Sequence, residues 1–299
     1  MEKLIKSGFI AVVGRPNAGK SSFLNWLIGE KITMVSHKAN ATRKRSNIIA
    51  MHEDESESTQ LVFIDTPGLH EKERLLDQFM LEEALKAISD ADLILFLAPV
   101  HDDLKEYEKF LILNEKKIPH ILLLTKVDEV KKEKLFEKIN QYVKHQDKFL
   151  ELIPTSIKRG SSYAQILATI SKHLPLSPHY FDSDILTTSK MKDIYKEFIR
   201  ESIFQNTSKE IPYFSDVVIE KVEELSSLEK VFAQIVVEKK SQKGIIIGHD
   251  GKTLRRIGQD ARLLIEELTG KKVFLKLFVV VKAGWSKDKK SLGELGYDI

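Results

Sequence analysis

The stretch Gly14-Arg15-Pro16-Asn17-Ala18-Gly19-Lys20-Ser21 lies between an apolar run at residues 9–13 and a helical pattern at residues 23–27. Its two glycines, five positions apart and followed directly by Lys and Ser, match the phosphate-binding loop template. A buried strand that enters such a turn ahead of a helix leaves backbone N–H groups available to hold phosphate. The sequence therefore predicts a phosphate-binding loop rather than an ordinary solvent turn.

Individual residues of this loop have separate expected roles. Gly19 permits close approach of the backbone, Lys20 can reach the terminal phosphates, and the Ser21 hydroxyl is placed to ligate Mg²⁺. We expect the bound phosphates to contact Gly14, Asn17, Ala18, Gly19, Lys20, Ser21 and Ser22.

The composition limits the classes of protein to consider. A chain of 299 residues is long enough for about two domains, each with its own core. It has no cysteine, which excludes disulfides, thiol catalysis and Cys-based zinc sites and fits a reducing cytoplasmic compartment. No apolar run approaches the roughly 18 residues needed to span a bilayer, and the N-terminus lacks the apolar core of a signal peptide.

Positive charge is concentrated near the C-terminus. The formal net charge is only +3, but residues 239–290 contain 14 Lys and Arg against 5 Asp and Glu. This local excess indicates a surface that binds a polyanion, although a merely solvated basic surface would have the same composition.

Residues 1–175 alternate short apolar runs with helical patterns. We predict strands at 9–13, 61–64, 93–97, 121–124 and 152–153, and helices at 75–88, 104–113, 132–143 and 162–173. A further strand at 46–51 would form a hairpin around a charged loop at 53–57. This alternation predicts an α/β, doubly wound domain whose functional loops lie at the strand ends.

Two prolines in the stretch 174–180 stop the preceding helix and favour extended backbone. We therefore place a linker at residues 176–190, between a first domain at 1–175 and a second domain at 191–299. The second domain reads as a helix, two strands, a short helix, a longer helix and a strand, which predicts a smaller α+β fold.

The motif Asp65-Thr66-Pro67-Gly68 follows the predicted strand at 61–64. Its carboxylate would lie beside the phosphate loop and hold Mg²⁺ through water, while the Gly68 N–H would meet the terminal phosphate. The basic segment 34–45 is a candidate switch loop, in which the Thr42 hydroxyl would complete the Mg²⁺ shell. An ordinary basic loop is the alternative. The predicted metal ligands are Ser21, Thr42 and Asp65.

The motif Thr125-Lys126-Val127-Asp128 follows another predicted strand and would read the base of a nucleotide. Asp128 can accept two hydrogen bonds from the N1–H and amino groups of guanine, donors that adenine lacks. The stem of Lys126 can lie over the base. After the last strand, Ser156, Ile157 and Lys158 would close over the base with backbone N–H groups.

A second glycine motif, Gly248-His249-Asp250-Gly251, joins two predicted helices in the second domain. It matches the Gly-x-x-Gly loop of KH domains, where two glycines let a nucleic-acid backbone approach. A simple turn between helices is the alternative. We expect RNA to contact Lys243, Gly248, His249, Asp250, Gly251, Lys252, Arg255 and Arg256.

The four loops in this order resemble the GTP-binding domain of the translation-factor-related GTPases. The whole chain resembles the Era family of bacterial ribosome-assembly GTPases, a GTPase domain followed by a type II KH domain, with further similar strings at 65–70, 210–213, 257–262, 282–285 and 295–297. The resemblance implies a P-loop GTPase that uses GTP, GDP and Mg²⁺. It also implies binding near the 3′ end of small-subunit ribosomal RNA and a role in assembly of the 30S subunit. We expect a cytoplasmic monomer that, by the same resemblance, is found partly at the inner membrane surface.

Some positions depart from the family patterns. Thr125 stands where the base-reading motif usually has Asn, and Ile157 stands where the last loop usually has Ala. Ala41 replaces one of two switch-loop threonines, which leaves Thr42 as the magnesium ligand of that pair.

Leu69 stands where signalling GTPases often have a glutamine that orients water. We expect Leu69 to line the nucleotide site without hydrogen bonding to water. Catalysis would then rest on Lys20, Thr42, Mg²⁺ and backbone N–H groups such as that of Gly68, with no general base and slow unaided turnover.

Two other functions and one further cofactor remain open. Asn17 is the residue type that helps hold K⁺ in related GTPases that lack the glutamine, so K⁺ is a candidate cofactor. The first rival function is an RNA chaperone that uses GTP as a structural ligand. The second is a membrane-surface signalling GTPase whose basic face meets anionic lipid.

Overall fold

The structure is a computed structural model that describes residues 3–36, 41–68, 74–159, 162–208 and 210–297. Its contacts divide the chain into two units. The first comprises Met1–Gly29, Thr42–His70 and Met80–Thr188, and the second comprises Glu30–Ala41, Glu71–Phe79 and Ser189–Ile299. The second unit thus includes two short segments from the N-terminal half of the chain, which the sequence did not indicate.

A six-stranded sheet forms the centre of the first unit, in the order β2-β3-β1-β4-β5-β6. Neighbouring strands pair in parallel except β2, which runs antiparallel to β3. Strands β4 and β5 are buried along their whole length, as expected for parallel strands with helices on both faces. The strands are β1 (Leu4–Val13), β2 (Ser46–Glu53), β3 (Glu57–Asp65), β4 (Leu93–Pro99), β5 (His120–Thr125) and β6 (Leu152–Pro154).

The helices that alternate with these strands match the predicted pattern. Tyr107 and Phe110 of the third helix pack on Phe96 of β4, with ring centroids 5.4 and 4.7 Å apart. Because parallel strands end at one edge of a sheet, the loops after β1, β3, β5 and β6 lie at that edge. The helices are α1 (Lys20–Ile28), α2 (Leu75–Asp90), α3 (Leu104–Leu113), α4 (Lys132–Val143) and α5 (Tyr163–Ser171).

The predicted hairpin is present, with a shorter turn than expected. Glu53 and Glu57 belong to the ends of β2 and β3, so the turn comprises only residues 54–56. The Asp54 carboxylate accepts hydrogen bonds from the N–H groups of Ser56 (2.7 Å) and Glu57 (2.8 Å). The acidic run therefore shapes the turn, because an Asp side chain can accept the hydrogen bonds of nearby backbone N–H groups.

Residues 176–188, within the predicted linker, belong to the first unit and contact its strands. The Ser177 N–H donates to the Ile5 carbonyl at 3.3 Å, and the Ile49 N–H donates to the Leu186 carbonyl at 2.8 Å. The Gln60 amide donates to the Phe181 carbonyl at 2.7 Å. The extended backbone that the prolines favour thus pairs with strands of the same unit.

The second unit has a three-stranded sheet in the order β7-β8-β9, where β7 and β8 are antiparallel and β8 and β9 are parallel. One face of the sheet packs on helices through a core that includes Ile199, Val217, Ile235 and Ile257. The elements are α6 (Met191–Asn206), β7 (Ser215–Glu224), β8 (Leu228–Val237), α7 (Lys240–Ile247), α8 (Lys252–Thr269), β9 (Lys272–Val281) and α9 (Lys289–Glu294). From α6 to β9 the order of elements is the predicted one, and a short helix α9 that the sequence did not predict follows.

Buried polar contacts hold the short N-terminal segments within the second unit. The Glu201 carboxylate, 2% exposed, accepts hydrogen bonds from Lys31 Nζ (2.7 Å) and the Val35 N–H (3.1 Å). Arg74 donates to the Tyr213 carbonyl at 3.0 Å.

Within the described part of the chain, no helix has both the length and the apolar character needed to cross a membrane.

Candidate functional site

Gly68, at the end of the turn after β3, lies directly against the phosphate loop. A Cβ atom at this position would be 2.7 Å from the backbone nitrogen of Pro16, closer than any side chain tolerates. The Thr66 hydroxyl donates to the Val12 carbonyl at 2.7 Å, which attaches the same turn to the end of β1. Glycine is therefore required for the two loops to approach this closely.

The Lys20 side chain is buried within the phosphate loop. Its Nζ atom donates to the carbonyl oxygens of Gly14 (3.1 Å) and Arg15 (3.2 Å). Burial lowers the pKa of Lys20 to about 8, while the negative charge of Asp65 opposes this shift. The ammonium group is thus desolvated at the start of α1, where the negative charge of a phosphate would stabilise its protonated form.

The lowered pKa of Lys20 predicts a pH dependence of nucleotide binding. Below pH 8 the ammonium is mostly charged and attracts phosphate, and above pH 8 it loses its proton, so affinity falls as pH rises. We expect GTP affinity to drop about tenfold between pH 7 and pH 9, because one pH unit above its pKa about a tenth of the group stays charged. Calorimetric titration across this range measures the change, and constant affinity would contradict it.

Three oxygen atoms from separate elements meet beside the start of α1. The Ser21 hydroxyl lies 3.1 Å from the Thr42 hydroxyl and donates to Asp65 Oδ2, also at 3.1 Å. The Thr42 hydroxyl donates to the same Asp65 oxygen at 3.4 Å. The structure thus brings together the three predicted metal ligands. Two hydroxyls and a carboxylate form the hard oxygen set that suits Mg²⁺.

The residues predicted to read the base lie on the two adjacent loops after β5 and β6. The Ser156 hydroxyl donates to Asp128 Oδ1 at 2.6 Å, and this bond is the main reason that the pKa of Asp128 is lowered. The Ser156 oxygen accepts in turn from the N–H groups of Lys158 (3.1 Å) and Arg159 (3.0 Å). Ile157 is 40% exposed beside them. Asp128 is therefore ionised and oriented by the neighbouring loop.

Thr125 connects the base-reading loop to the phosphate loop. Its hydroxyl donates to the Ala18 carbonyl at 3.3 Å, and Lys126 Nζ donates to the Asn17 carbonyl at 3.4 Å. In the sequence, Thr125 is notable only because it lacks the side-chain amide of the Asn that usually occupies this position. In the structure its hydroxyl makes a contact of its own with the phosphate loop, a role that no local pattern indicates.

Arg15 is a residue of the site region to which the sequence assigned no role. Its Nε and Nη2 atoms donate to the two carboxylate oxygens of Asp102 at 2.5 and 2.6 Å. This hydrogen-bonded pair raises the pKa of Arg15 and attaches the phosphate loop to the segment after β4. Since the partners are 87 positions apart, no spacing rule in the sequence could have found them.

The glycine motif of the second unit forms the connection between α7 and α8. A Cβ atom on Gly248 would be 2.3 Å from the Thr253 hydroxyl oxygen, so this position requires glycine. Asp250 adopts a left-handed conformation with φ of 52°, which Asp and Asn tolerate better than most residues. Its Oδ2 atom lies 2.8 Å from His249 Nδ1.

Cations surround this loop and are accessible to solvent. Lys252, Arg255 and Arg256 are exposed, and Lys243 is partly exposed. Lys252, Arg255 and Arg256 form no ion pair with a carboxylate in the described ranges of the chain. The start of α8 and these cations therefore form a surface suited to phosphates.

Two parts of the predicted nucleotide site lie outside the described residues. They are Leu69 and residues 37–40 of the predicted switch loop.

Comparisons with known proteins agree with this arrangement. Residues 9–126 match a family described as a 50S ribosome-binding GTPase, and residues 210–286 match the KH domain family. These matches and the topology confirm the predicted fold class, a doubly wound P-loop GTPase domain followed by a smaller KH domain.

Two crystal structures have closely similar folds. The first, a single-residue variant of Aquifex aeolicus Era bound to GDP.AlF4⁻, has a TM-score of 0.92 at 29% identity and covers 98% of this chain and 100% of that chain. The second, Era in complex with MgGDPNP and nucleotides 1506–1542 of 16S ribosomal RNA, has the same TM-score and identity and covers 99% and 100%.

Curated relatives are similar over nearly the whole chain. GTPase Era of Campylobacter concisus (strain 13826) is 50% identical over 294 residues, which cover 98% of this chain and 100% of the relative. GTPase Era of Helicobacter pylori (strain G27) is 50% identical over 293 residues, covering 98% and 97%. Because identity at this level extends through both the GTPase and the KH domains, the chain belongs to the Era family of GTPases.

Proposed function

We propose that this protein binds and hydrolyses GTP with Mg²⁺, binds ribosomal RNA near the 3′ end of the small-subunit rRNA, and acts in assembly of the 30S subunit. The observation that carries the proposal is the meeting of oxygens from Ser21, Thr42 and Asp65 beside the buried Lys20. The similarity to Era in complex with MgGDPNP and 16S rRNA nucleotides supports it.

The phosphate end of the site consists of residues 14–22, the turn Asp65-Thr66-Pro67-Gly68 and Thr42. Ser21 and Thr42 would hold Mg²⁺ through their hydroxyls, and Asp65 would hold it through water. When bound, the ion neutralises charge on the phosphate oxygens. Lys20 and the Gly68 N–H would stabilise the charge that develops on the terminal phosphate during hydrolysis.

The base end consists of Thr125, Lys126, Val127 and Asp128 with the loop Ser156-Ile157-Lys158. The Asp128 carboxylate would accept from N1–H and the amino group of guanine, while Ser156 keeps the carboxylate oriented. Adenine presents no such pair of donors, so its binding would leave the carboxylate unpaired.

RNA binding is assigned to the second domain. We propose a division into a GTP-binding domain at 1–175, a connecting segment at 176–190 and an RNA-binding domain at 191–299. RNA would approach Gly248 and Gly251 while the cations meet its phosphates. The RNA-contacting residues in this proposal are Lys243, Gly248, His249, Asp250, Gly251, Lys252, Arg255 and Arg256.

Phosphate release by the full chain tests the proposal. It is measured with GTP and Mg²⁺, with and without an RNA that carries the 3′ end of 16S rRNA. We expect slow phosphate release at a rate that changes when the RNA is added and that is higher than the rate of the Lys20→Ala variant. Binding of GTP and RNA with release no faster than that of the variant would instead indicate an RNA chaperone that uses GTP as a structural ligand.

The proposed location is the cytoplasm, partly at the inner membrane surface. The exposed cations Lys252, Arg255 and Arg256 suit lipid phosphates as well as RNA. Sedimentation with anionic liposomes, with 16S RNA as a competitor, tests the membrane part. Sedimentation with the liposomes that RNA prevents would support the membrane location. Protein that stays in the supernatant without RNA would contradict it.

Asn17 motivates a prediction about monovalent cations. The residue lies in the phosphate loop with φ of 64°. Since Leu69 offers no hydrogen bond to water, a K⁺ ion near Asn17 would supply charge compensation that Na⁺ supplies less well. We expect faster hydrolysis in potassium chloride than in sodium chloride at one ionic strength. Equal rates would contradict a role for K⁺, and Asn17→Ala should remove the difference.

Asp250 motivates a prediction about RNA affinity. A carboxylate about 5 Å from a phosphate is repelled by roughly 1 kcal/mol in water. Replacement by Asn removes this repulsion and keeps the left-handed conformation, which Lys would strain. We expect Asp250→Asn to bind RNA about three- to fivefold more tightly at low salt, with a smaller gain as salt rises.

The matched control for Asp250 is Glu267→Gln. Glu267 is exposed near the far end of α8, roughly 24 Å from the loop at 1.5 Å per residue. Loss of this charge should leave RNA affinity almost unchanged, because at that distance in water its repulsion of a phosphate is only about 0.2 kcal/mol even without screening by salt. Equal affinities for Asp250→Asn and wild type in a low-salt filter-binding titration would mean that Asp250 does not face the RNA.

A further inference from the structure

The face of the β7-β8-β9 sheet opposite the helical core carries aromatic and basic side chains. On β8, the alternate residues Val231, Ala233 and Ile235 are fully buried, and Ala233 and Ile235 belong to the core under the helices. Phe232 lies between them and points to the other face. We define the aromatic face by the residues Lys221, Lys230, Phe232, Lys272, Phe274, Lys276 and Phe278.

The phenylalanines of the aromatic face are not explained by packing. Phe274 is 48% exposed and Phe278 is 44% exposed, although both lie inside the regular strand β9. Solvent-facing strand positions usually carry polar residues, because the opposite face buries the apolar ones. A cluster of exposed rings on one surface therefore indicates a binding site.

Strand pairing places rings and ammonium groups next to one another. Phe232 pairs with Lys276 on one side and with Lys221 on the other. The rings of Phe232 and Phe274 have centroids 6.2 Å apart, and Lys276 Nζ lies 5.1 Å from the centroid of Phe278. At about 3.3 Å per residue, Phe274 and Phe278 are roughly 13 Å apart along β9, with Phe232 beside the stretch between them.

The acidic groups near this face leave it basic. Glu223 lies 2.5 Å from Lys221 and 3.9 Å from Lys230. Glu220 accepts a hydrogen bond from the Gln234 amide. The charges of Lys221 and Lys230 are therefore partly neutralised by Glu223, whereas the charges of Lys272 and Lys276 on β9 are neutralised less.

The two lysines of β9 carry the remaining positive charge. Lys272 is 4.0 Å from Glu266, and its side chain is 85% exposed. Lys276 forms no ion pair with a carboxylate in the part of the chain that the structure describes. Charge complementarity thus favours an anionic partner with flat apolar groups over an acidic peptide, whose side chains would not stack on rings.

The edge strand β9 lies between the aromatic face and the side of the sheet that carries the proposed RNA site. Strand β9 is an edge of the sheet, and α7 and α8, which flank the glycine loop, both pack against it. A KH loop clamps about four nucleotides, so a longer strand continues beyond it. An RNA strand that leaves the loop along β9 would meet Phe274, Lys276 and Phe278 on crossing the edge.

We propose that the aromatic face binds single-stranded RNA that continues from the glycine loop, with bases stacked on Phe232, Phe274 and Phe278 and phosphates held by the lysines. The inference rests on the proposed RNA-binding function. It adds a second contact surface within the same domain. Stacking on aromatic rings tolerates any base, so this surface increases affinity and footprint length more than sequence specificity.

The test compares two RNAs from the 3′ end of 16S rRNA in filter-binding titrations with the full chain. One RNA has about 6 nucleotides, enough for the loop, and the other has about 16. We expect the longer RNA to bind wild type at least tenfold more tightly. The double variant Phe274→Ala with Phe278→Ala should lose about tenfold or more of this gain and bind the short RNA as wild type does.

One control and one further variant separate the effect of the rings from that of the lysine. Phe136→Ala removes a phenylalanine on α4 that is 65% exposed, and it should keep the full gain from the longer RNA. Lys276→Ala should reduce the dependence of log affinity on log salt by roughly one, because one phosphate contact is lost. Thermal unfolding of each variant checks that these exposed substitutions leave the domain folded.

The outcomes separate this inference from the proposed function. If wild type binds neither RNA, both fail. If wild type binds both RNAs and the double variant keeps the full gain, only the aromatic face is excluded as an RNA site, and it serves another partner such as a protein. Crosslinking of 4-thiouridine in the longer RNA to residues 272–281 would support the proposal directly, and its absence alongside an unchanged gain would overturn it.

Discussion

Replacing Asp128 by Asn is expected to lower the affinity for GTP by roughly 10²- to 10⁴-fold. The carboxylate would accept two hydrogen bonds from guanine, and hydrogen bonds to a charged group each contribute about 1.5–3 kcal/mol. The Asn oxygen can still accept the bond that the Ser156 hydroxyl makes with Asp128 at 2.6 Å. The loop should therefore keep its shape while the side chain presents an amide N–H₂ to the base.

The same variant should prefer xanthosine triphosphate, since the 2-oxo group of xanthine accepts a hydrogen bond from that amide. Competition titrations with the two nucleotides measure the change in preference. Asp147→Asn is a matched control, because Asp147 is an exposed carboxylate that pairs with the adjacent Lys148 at 2.8 Å outside the base-reading loops. An unchanged nucleotide preference in Asp128→Asn would show that the carboxylate does not read the base.

Replacing Lys20 by Ala is expected to weaken GTP binding by a comparable factor and to abolish hydrolysis. The variant removes a buried ammonium that would make charge-assisted bonds to phosphate, and it leaves the carbonyls of Gly14 and Arg15 without their donor. Both effects weaken the binding of phosphate by this loop. RNA affinity of the full chain without nucleotide should stay unchanged, because the RNA site is assigned to the second domain.

Lys116→Ala is the matched control for this variant, since the exposed Lys116 contacts Ser89 and precedes β5, at the amino ends of the parallel strands, opposite the edge with the loops that would bind nucleotide. Lys20→Met adds a second comparison, because Met keeps most of the side-chain volume while removing the charge. Phosphate release and nucleotide titration are the readouts. Wild-type hydrolysis by Lys20→Ala would exclude Lys20 from catalysis, and a loss of RNA binding would contradict the division into two functions.

Much of the nucleotide site could be predicted because its motifs are local. Each lies directly after a strand, and the carboxyl ends of parallel strands meet at one edge of the sheet. Ser21, Asp65 and Asp128 could therefore be named from the sequence, and the structure places Ser21 and Asp65 3.1 Å apart. Thr42 follows no such rule, since it lies in a segment without periodicity, and its contact with Asp65 depends on the path of that segment.

The ends of strands and their pairing partners were harder to predict where they depend on a segment that is distant in the sequence. Strand β1 begins at Leu4, well before the apolar run, because it pairs with β3 from that residue onward. Residues 176–188 of the predicted linker belong to the first unit because their extended backbone pairs with strands of that unit. In both cases the missing information is the identity of a partner far away in the sequence.

By itself, the sequence determined the alternation of strands and helices, the phosphate and glycine loops, and the order of the two domains, because each depends on the spacing of neighbouring residues. The tertiary structure alone decided that Arg15 pairs with Asp102, that Thr125 contacts Ala18, and that the rings of β9 stay uncovered. Alternation along a strand shows that residues point to two faces, but only packing determines which face the helices cover. That choice depends on the whole chain, because a helix covers the face whose burial removes the most apolar surface from water.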